Sequence, residues 1–210
     1  MPISGVSKRF AATIFGAVTL GLSVMSAPAI ALEPDPNEEK NLKTCEKNLC
    51  AMILSKDAAG DDLACAISKT WAKDKIEKGA STKSLSWGFG DARCTVDLSA
   101  ARSTVVSSLT EPAHTLKMDS HTVKCFIEQE GEPTKIDVTL APIVDFKEGK
   151  ATKAQLNITK VEAPTVIKAV ITGADWIEKN VGLFHGEMID EINDFVHKKC
   201  AKRYPDLVKK

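Results

Sequence analysis

Six cysteines, Cys45, Cys50, Cys65, Cys94, Cys125 and Cys200, carry the most evident chemistry in the chain. An even count behind an export leader reads as three disulfides. Zinc or dithiol chemistry would ask for closer pairs. No Cys-x-x-Cys is present, and the Cys45-to-Cys50 spacing is too wide for the usual zinc knuckle. Cysteines bonded in pairs also leave no thiolate to act as a nucleophile.

The other reactive residues form no recognisable set. His185-Gly186-Glu187 has the His-x-Glu order of zinc deaminases but lacks their Pro-Cys-x-x-Cys partner. His114, Asp119 and His121 have metal-ligand chemistry, yet their spacing fits histidines near a turn. Trp87-Gly88-Phe89-Gly90 lacks the strand-and-helix context of a phosphate loop, and no Gly-x-Ser-x-Gly elbow occurs. Asp190 with Asp194, and Glu187 with Glu191, are acidic pairs at helical spacing that read as a solvated face. Asn157-Ile158-Thr159 matches a glycosylation acceptor but falls within an expected strand. The expectation is therefore no catalytic residue, no metal and no cofactor.

The leader sets the compartment. Lys8 and Arg9 precede an apolar run from Phe10 to Met25, and Ala29-Ile30-Ala31 offers a small-x-small cleavage site. The run stops short of the ~20 apolar residues a membrane anchor needs. Residues 1–31 are thus expected as a signal peptide, 32–37 as a polar, proline-punctuated lead-in, and 38–210 as a single disulfide-bonded domain. Signal and cysteine pattern resemble those of small exported bacterial proteins, many of them periplasmic, and that resemblance implies no functional residue. The 28 basic and 28 acidic residues balance. This argues against nucleic acid, whose phosphates demand a basic field. No later run is long and apolar enough to span a membrane.

The fold expected is α+β: an N-terminal helical hairpin, an antiparallel meander sheet of about four strands, and a long C-terminal helical segment packed on the sheet. Leu42, Cys45, Leu49, Met52 and Ile53 recur at helical spacing from Glu38 to about Lys56. Leu63, Ile67, Thr70 and Trp71 place a second helical face through about Lys78. Cys50 and Cys65 flank the intervening turn symmetrically, so they are expected to bridge the hairpin at a Cα separation of about 5.5 Å. Strands are expected over Arg93–Leu98, Thr115–Gln129, Lys135–Phe146 (bent at Pro142) and Ala154–Val161, with a short helix over Ser99–Leu109. Cys94 and Cys125, both mid-strand, make the second bridge, which leaves Cys45 for Cys200. From about Pro164 two apolar stripes read as helix, with Gly182 between them as a kink or break.

The leading function is an exported, non-enzymatic binding or accessory protein. Its ligand would be a lipid or other apolar small molecule held between sheet and C-terminal helices by Val138, Leu140, Ile167, Ile171, Phe184 and Met188. Plain core filling is the simpler account of those residues. The alternative function is a structural or protein-interaction module of the cell envelope, with a filled core, no ligand and an envelope protein as partner. Aromatic content of 5% argues against a carbohydrate platform.

Overall fold

The computed structural model describes residues 32–82, 86–165 and 185–208. The expected signal peptide, Ile167, Ile171, Gly182 and Phe184 lie outside them. Helix α1 spans Glu38–Ser55. Glu38 and Glu39 favour its positive end, and Lys56 closes it in the left-handed region, donating its amide to Met52 O. Cys45 and Cys50 are five residues apart, so on a helix they point about 140° away from each other. One side, with Cys45 and Met52, packs on Leu63 and Val105. The other, with Cys50 and Ile53, packs on Cys200.

Residues 63–71, expected as the second arm of a helical hairpin, instead form strand β1 (Leu63–Trp71); a short helix α2 (Lys73–Ser81) follows. The spacing of Leu63, Ile67 and Trp71 is a multiple of four, hence also of two, and fits a strand as well as a helix. Pairing decides between them. Strand β2 (Ala92–Ala100) runs antiparallel to β1 along its whole length, from Leu63↔Ala100 to Trp71↔Ala92.

This change overturns two expected bridges. Cys65 now lies on the sheet beneath α1, where it bonds Cys45 at a Cα separation of 5.5 Å. Cys50, on the opposite side of α1, bonds Cys200 at 5.2 Å. Cys94–Cys125 forms as expected between directly opposed residues of neighbouring strands. Three disulfides point to an oxidising compartment outside the cytoplasm.

Helix α3 (Arg102–Thr110) is followed by strands β3 (Ala113–Lys117), β4 (His121–Ile127), β5 (Thr134–Leu140), β6 (Ile143–Lys147), β7 (Lys150–Gln155) and β8 (Ile158–Glu162). Each long expected strand is cut in the middle: β3 from β4 at 118–120, β5 from β6 at 141–142, β7 from β8 at 156–157. The halves join different sheets. One sheet has five strands in the order β1-β2-β4-β5-β8, rather than about four; the other has three, β3-β6-β7. The meander thus exists as three antiparallel passes folded along a common crease, with β1 and β2 added to one side. Backbone bonds continue across the crease, Met118 N–H to Pro142 O at 2.9 Å and Ala141 N–H to Asn157 O at 3.1 Å. Pro142 and Asn157 make the bend possible. Proline has no amide to give the ladder, and Asn157 takes φ 47°, a conformation asparagine tolerates better than most residues. Asn157 therefore lies in a turn between strands, not within one.

Glu148 and Gly149, with φ of 51° and 72°, form the tight turn between β6 and β7 that two left-handed residues favour. A side chain at Gly149 would meet Leu109 O at 3.1 Å.

The last helix, α4, covers 185–203. It is α-helical over His185–Asp194, π-helical over Phe195–Lys199 and α-helical again over Cys200–Arg203. Met188, Ile189 and Ile192 pack on Val144, Phe146, Ala151 and Ala154 of the smaller sheet. Polar side chains of α4 meet the outer edge of β7. Asn193 accepts the Ala151 amide at 2.9 Å and donates to Ala151 O at 3.0 Å. His185 Nδ1 donates to Ala154 O and His197 Nε2 to Gly149 O. An open strand edge invites foreign pairing, and here a helix supplies the missing partners. Among the described residues no helix is long and apolar enough to cross a membrane.

Candidate functional site

Where α1, α3 and α4 meet both sheets they leave a cavity of about 230 Å³. Helix α1 contributes Leu49 and Ile53; the β1/β2 pair contributes Leu63, Leu98 and Ala100. Helix α3 turns Val105, Ser108 and Leu109 into it, three positions of one helical face. The smaller sheet and the crease add Leu116, Met118 and Phe146, and α4 adds Ile192, Phe195 and Val196. Phe195 and Val196 open the π-helical turn, a local widening often found at functional positions. Among the described residues of the lining, Ser108 alone bears a hydroxyl. It is 1% exposed and donates its proton to Thr104 O at 2.8 Å.

The cavity is apolar and bordered by α4; of the residues expected to line a ligand site, the three that are described, Val138, Leu140 and Met188, do not line it. Val138 packs with Ile127, Ile136, Trp87 and Phe89 in a separate cluster. Leu140 pairs with His121 and Ile158 at the end of its strand. Met188 lies against the smaller sheet beside Phe146 and Ile192, which do reach the cavity. The expected set assumed a flat sheet under a helix, whereas the crease brings both sheets to the same void. No local motif marks such a site, because its walls come from seven elements and the crease.

A second depression, polar and larger at about 400 Å³, lies where β2 and β4 part. Their ladder ends at Thr95↔Lys124 although both strands continue. His121, 5% exposed, reaches across the gap, and its Nε2 accepts the Ser99 amide at 2.9 Å. The neutral ring then carries its proton on Nδ1, which finds no protein partner among the described residues. Ser99 Oγ lies 3.3 Å from the same Nε2. This is not a nucleophile and base. The lone pair that would take the hydroxyl proton is engaged by the amide, and no carboxylate orients Nδ1. The cleft is of the kind that solvent fills.

The remaining candidates resolve into structure. His114 pairs with Glu111 at 3.0 Å, and no cluster of three metal-ligating side chains occurs among the described residues, so His114, Asp119 and His121 do not converge. Lys198 and Lys199 hydrogen-bond Asp194 and hold its carboxyl below the usual carboxylate range, and Lys199 also holds Glu191. These acids are a solvated charge network. Trp87 donates Nε1–H to Gly90 O at 2.9 Å and meets Phe89 edge-on at 5.2 Å, which makes that glycine loop a core plug rather than a phosphate cradle. No protein-family model, curated protein or solved structure matches the chain.

Proposed function

We propose that this is an exported, periplasmic or secreted, non-enzymatic binding protein whose ligand is a small apolar molecule held in the cavity between α1, α3, α4 and the creased sheets. The observation that carries this reading is a partly open cavity of about 230 Å³ whose described lining is almost wholly hydrocarbon. Apolar wall left facing water is unfavourable by roughly 25 cal/mol per Å². An apolar occupant recovers part of the loss and leaves water nothing to compete for.

The cavity also bounds the ligand. An apolar cavity of about 150 Å³ takes up benzene, so scaling by volume leaves room for about nine or ten carbon atoms. A complete lipid does not fit inside; the proposal narrows to a compact molecule of one or two rings, or a short branched chain.

Native mass spectrometry of gently purified protein should reveal a small non-covalent adduct. Added naphthalene at a hundred times its dissociation constant should stabilise the fold by about 2.7 kcal/mol. Ala100→Phe, which fills the void, should abolish that stabilisation. A bare polypeptide mass together with no response to naphthalene would sink the proposal and favour a partner-binding module with a closed core.

A further inference from the structure

We infer that His121 is an acid-sensitive clasp: neutral, its ring holds β2 to β4 where their ladder fails, and protonated it lets go. Cys94 and Cys125 stand directly opposed with Cα atoms 4.0 Å apart, the close spacing of a pair that exchanges no backbone hydrogen bonds. The bonding pairs are therefore the alternate ones, Arg93↔Phe126 and Thr95↔Lys124. The next in the series, Asp97 against Thr122, is missing, although both strands run past it. Ser99 carries the amide after that on the same edge of β2, and it bonds His121 Nε2 at 2.9 Å. Beyond Thr95↔Lys124, the hydrogen bonds between β2 and β4 among the described residues come from His121 alone.

The clasp holds in one protonation state only. A neutral imidazole has one acceptor nitrogen, and here its lone pair takes the Ser99 amide. Protonation makes both ring nitrogens donors. Nε2–H then faces the Ser99 N–H, and Nδ1–H stays buried without an acceptor among the described residues. Ser99 Oγ, 3.3 Å away, can turn to receive Nε2–H, yet the Ser99 amide has lost its acceptor either way. The charge also sits on a residue 5% exposed, where it is costly unless paired. Around the ring the lead-in brings Asp35, β2 brings Asp97, β4 brings Lys124, and the preceding loop brings the exposed Asp119. Helix α1 adds only Asn41, and β5 opposes His121 with Leu140. Among the described residues none of these bonds the ring. Asp35 and Asp97 line the open cleft instead, so a charged ring is drawn outward to them and to water. Histidine is the side chain that ordinarily changes charge between about pH 5 and pH 8. Leu98 and Ala100, on either side of Ser99, line the apolar cavity. Freeing Ser99 loosens that wall, so the clasp ties ligand retention to pH, a consequence that rests on the ligand-binding reading above.

The test follows amide exchange by NMR at about pH 7.5 and about pH 5, as protection relative to the unfolded chain, in wild type and His121→Gln. Glutamine reaches about as far as Nε2 with an acceptor oxygen that does not titrate. Ser99 protection in wild type should fall at least about fivefold at the lower pH, as the loss of one neutral hydrogen bond implies. Phe126, inside the intact ladder, should stay within about twofold, and His121→Gln should hold both amides. Naphthalene has no ionisable group, so any pH dependence of its binding belongs to the protein. Its affinity for wild type should weaken at least about twofold at the lower pH, once most molecules are released, and stay level in His121→Gln. Unchanged Ser99 protection in wild type overturns the clasp, whether or not the variant folds. A fall in protection with unchanged naphthalene affinity overturns its tie to the cavity. Absence of naphthalene binding at both pH values refutes the ligand-binding reading alone, and the Ser99 amide still decides the clasp.

Discussion

Removing Cys50–Cys200 should destabilise the protein more than removing either other bridge. The chain-entropy argument assigns a disulfide's effect to the loop it closes in the unfolded chain. With separations of 150, 20 and 31 residues, the loop-closure expression gives about 5 kcal/mol for Cys50–Cys200, about 3.3 for Cys45–Cys65 and about 3.7 for Cys94–Cys125. Retaining Cys94–Cys125 shortens the long loop by its own span and lowers the first figure by only about 0.2 kcal/mol. Burial acts in the same direction, since Cys50 and Cys200 are both 0% exposed and truncating fully packed atoms leaves a void. The double variants Cys50→Ala/Cys200→Ala, Cys45→Ala/Cys65→Ala and Cys94→Ala/Cys125→Ala would be compared by urea unfolding without reductant. The first should lose about 5 kcal/mol and melt roughly 10–20 °C lower. It should also lose affinity for naphthalene, because the bridge joins two walls of the cavity, α1 and α4. The Cys94/Cys125 variant should keep that affinity. Should the Cys45/Cys65 variant prove as destabilised as the Cys50/Cys200 variant, the reasoning from loop length and burial fails.

Two further outcomes can be checked directly. Burial raises the carboxyl of Glu38, but the Lys69 ammonium at 2.8 Å, together with Thr70 beside it, holds it below the usual range. A depressed carboxyl contributes stability that is full above its unfolded value, about 4.3, and is lost as pH falls through the lower folded value. Glu38→Gln should therefore cost about 1 kcal/mol at pH 7, discounted for the half-exposed lysine. In chemical denaturation between about pH 5 and pH 2, its stability should decline less steeply than that of wild type. Asn193→Ala removes both bonds to Ala151 at the β7 edge and should cost about 1–3 kcal/mol; hydrogen exchange at the Ala151 amide should accelerate, and an unchanged rate would refute the edge-capping role.

Local patterns made the single elements legible and left their assembly obscure. Helix α1, the short α3, the turn at Glu148-Gly149 and the Cys94–Cys125 pair all follow from patterns within a few residues. The β1 segment misleads because Leu63, Ile67 and Trp71 satisfy both periodicities, and only its pairing with the distant β2 chooses between them. Once that segment is a strand, the cysteine pairing changes with it, since Cys65 moves from a neighbouring helix to the sheet under Cys45. The doubling of the meander was half visible. Pro142 announces one bend, but the breaks at 118–120 and 156–157 carry no proline, and a crease exists only when all three passes bend together. Val138, Leu140 and Met188, expected at a ligand site, fall outside the cavity for the same reason.

Because every pass of the meander crosses the crease, each strand of the smaller sheet runs on into a strand of the larger one between Ala113 and Glu162. Unzipping one sheet drags the strand ends of the other with it, so hydrogen exchange along 113–162 should report one shared opening event. Cutting the gene anywhere between β3 and β7 would leave two fragments, each holding strands of both sheets and neither able to complete its own. Complementation by split halves belongs outside the crease, in the connection between β1 and β2.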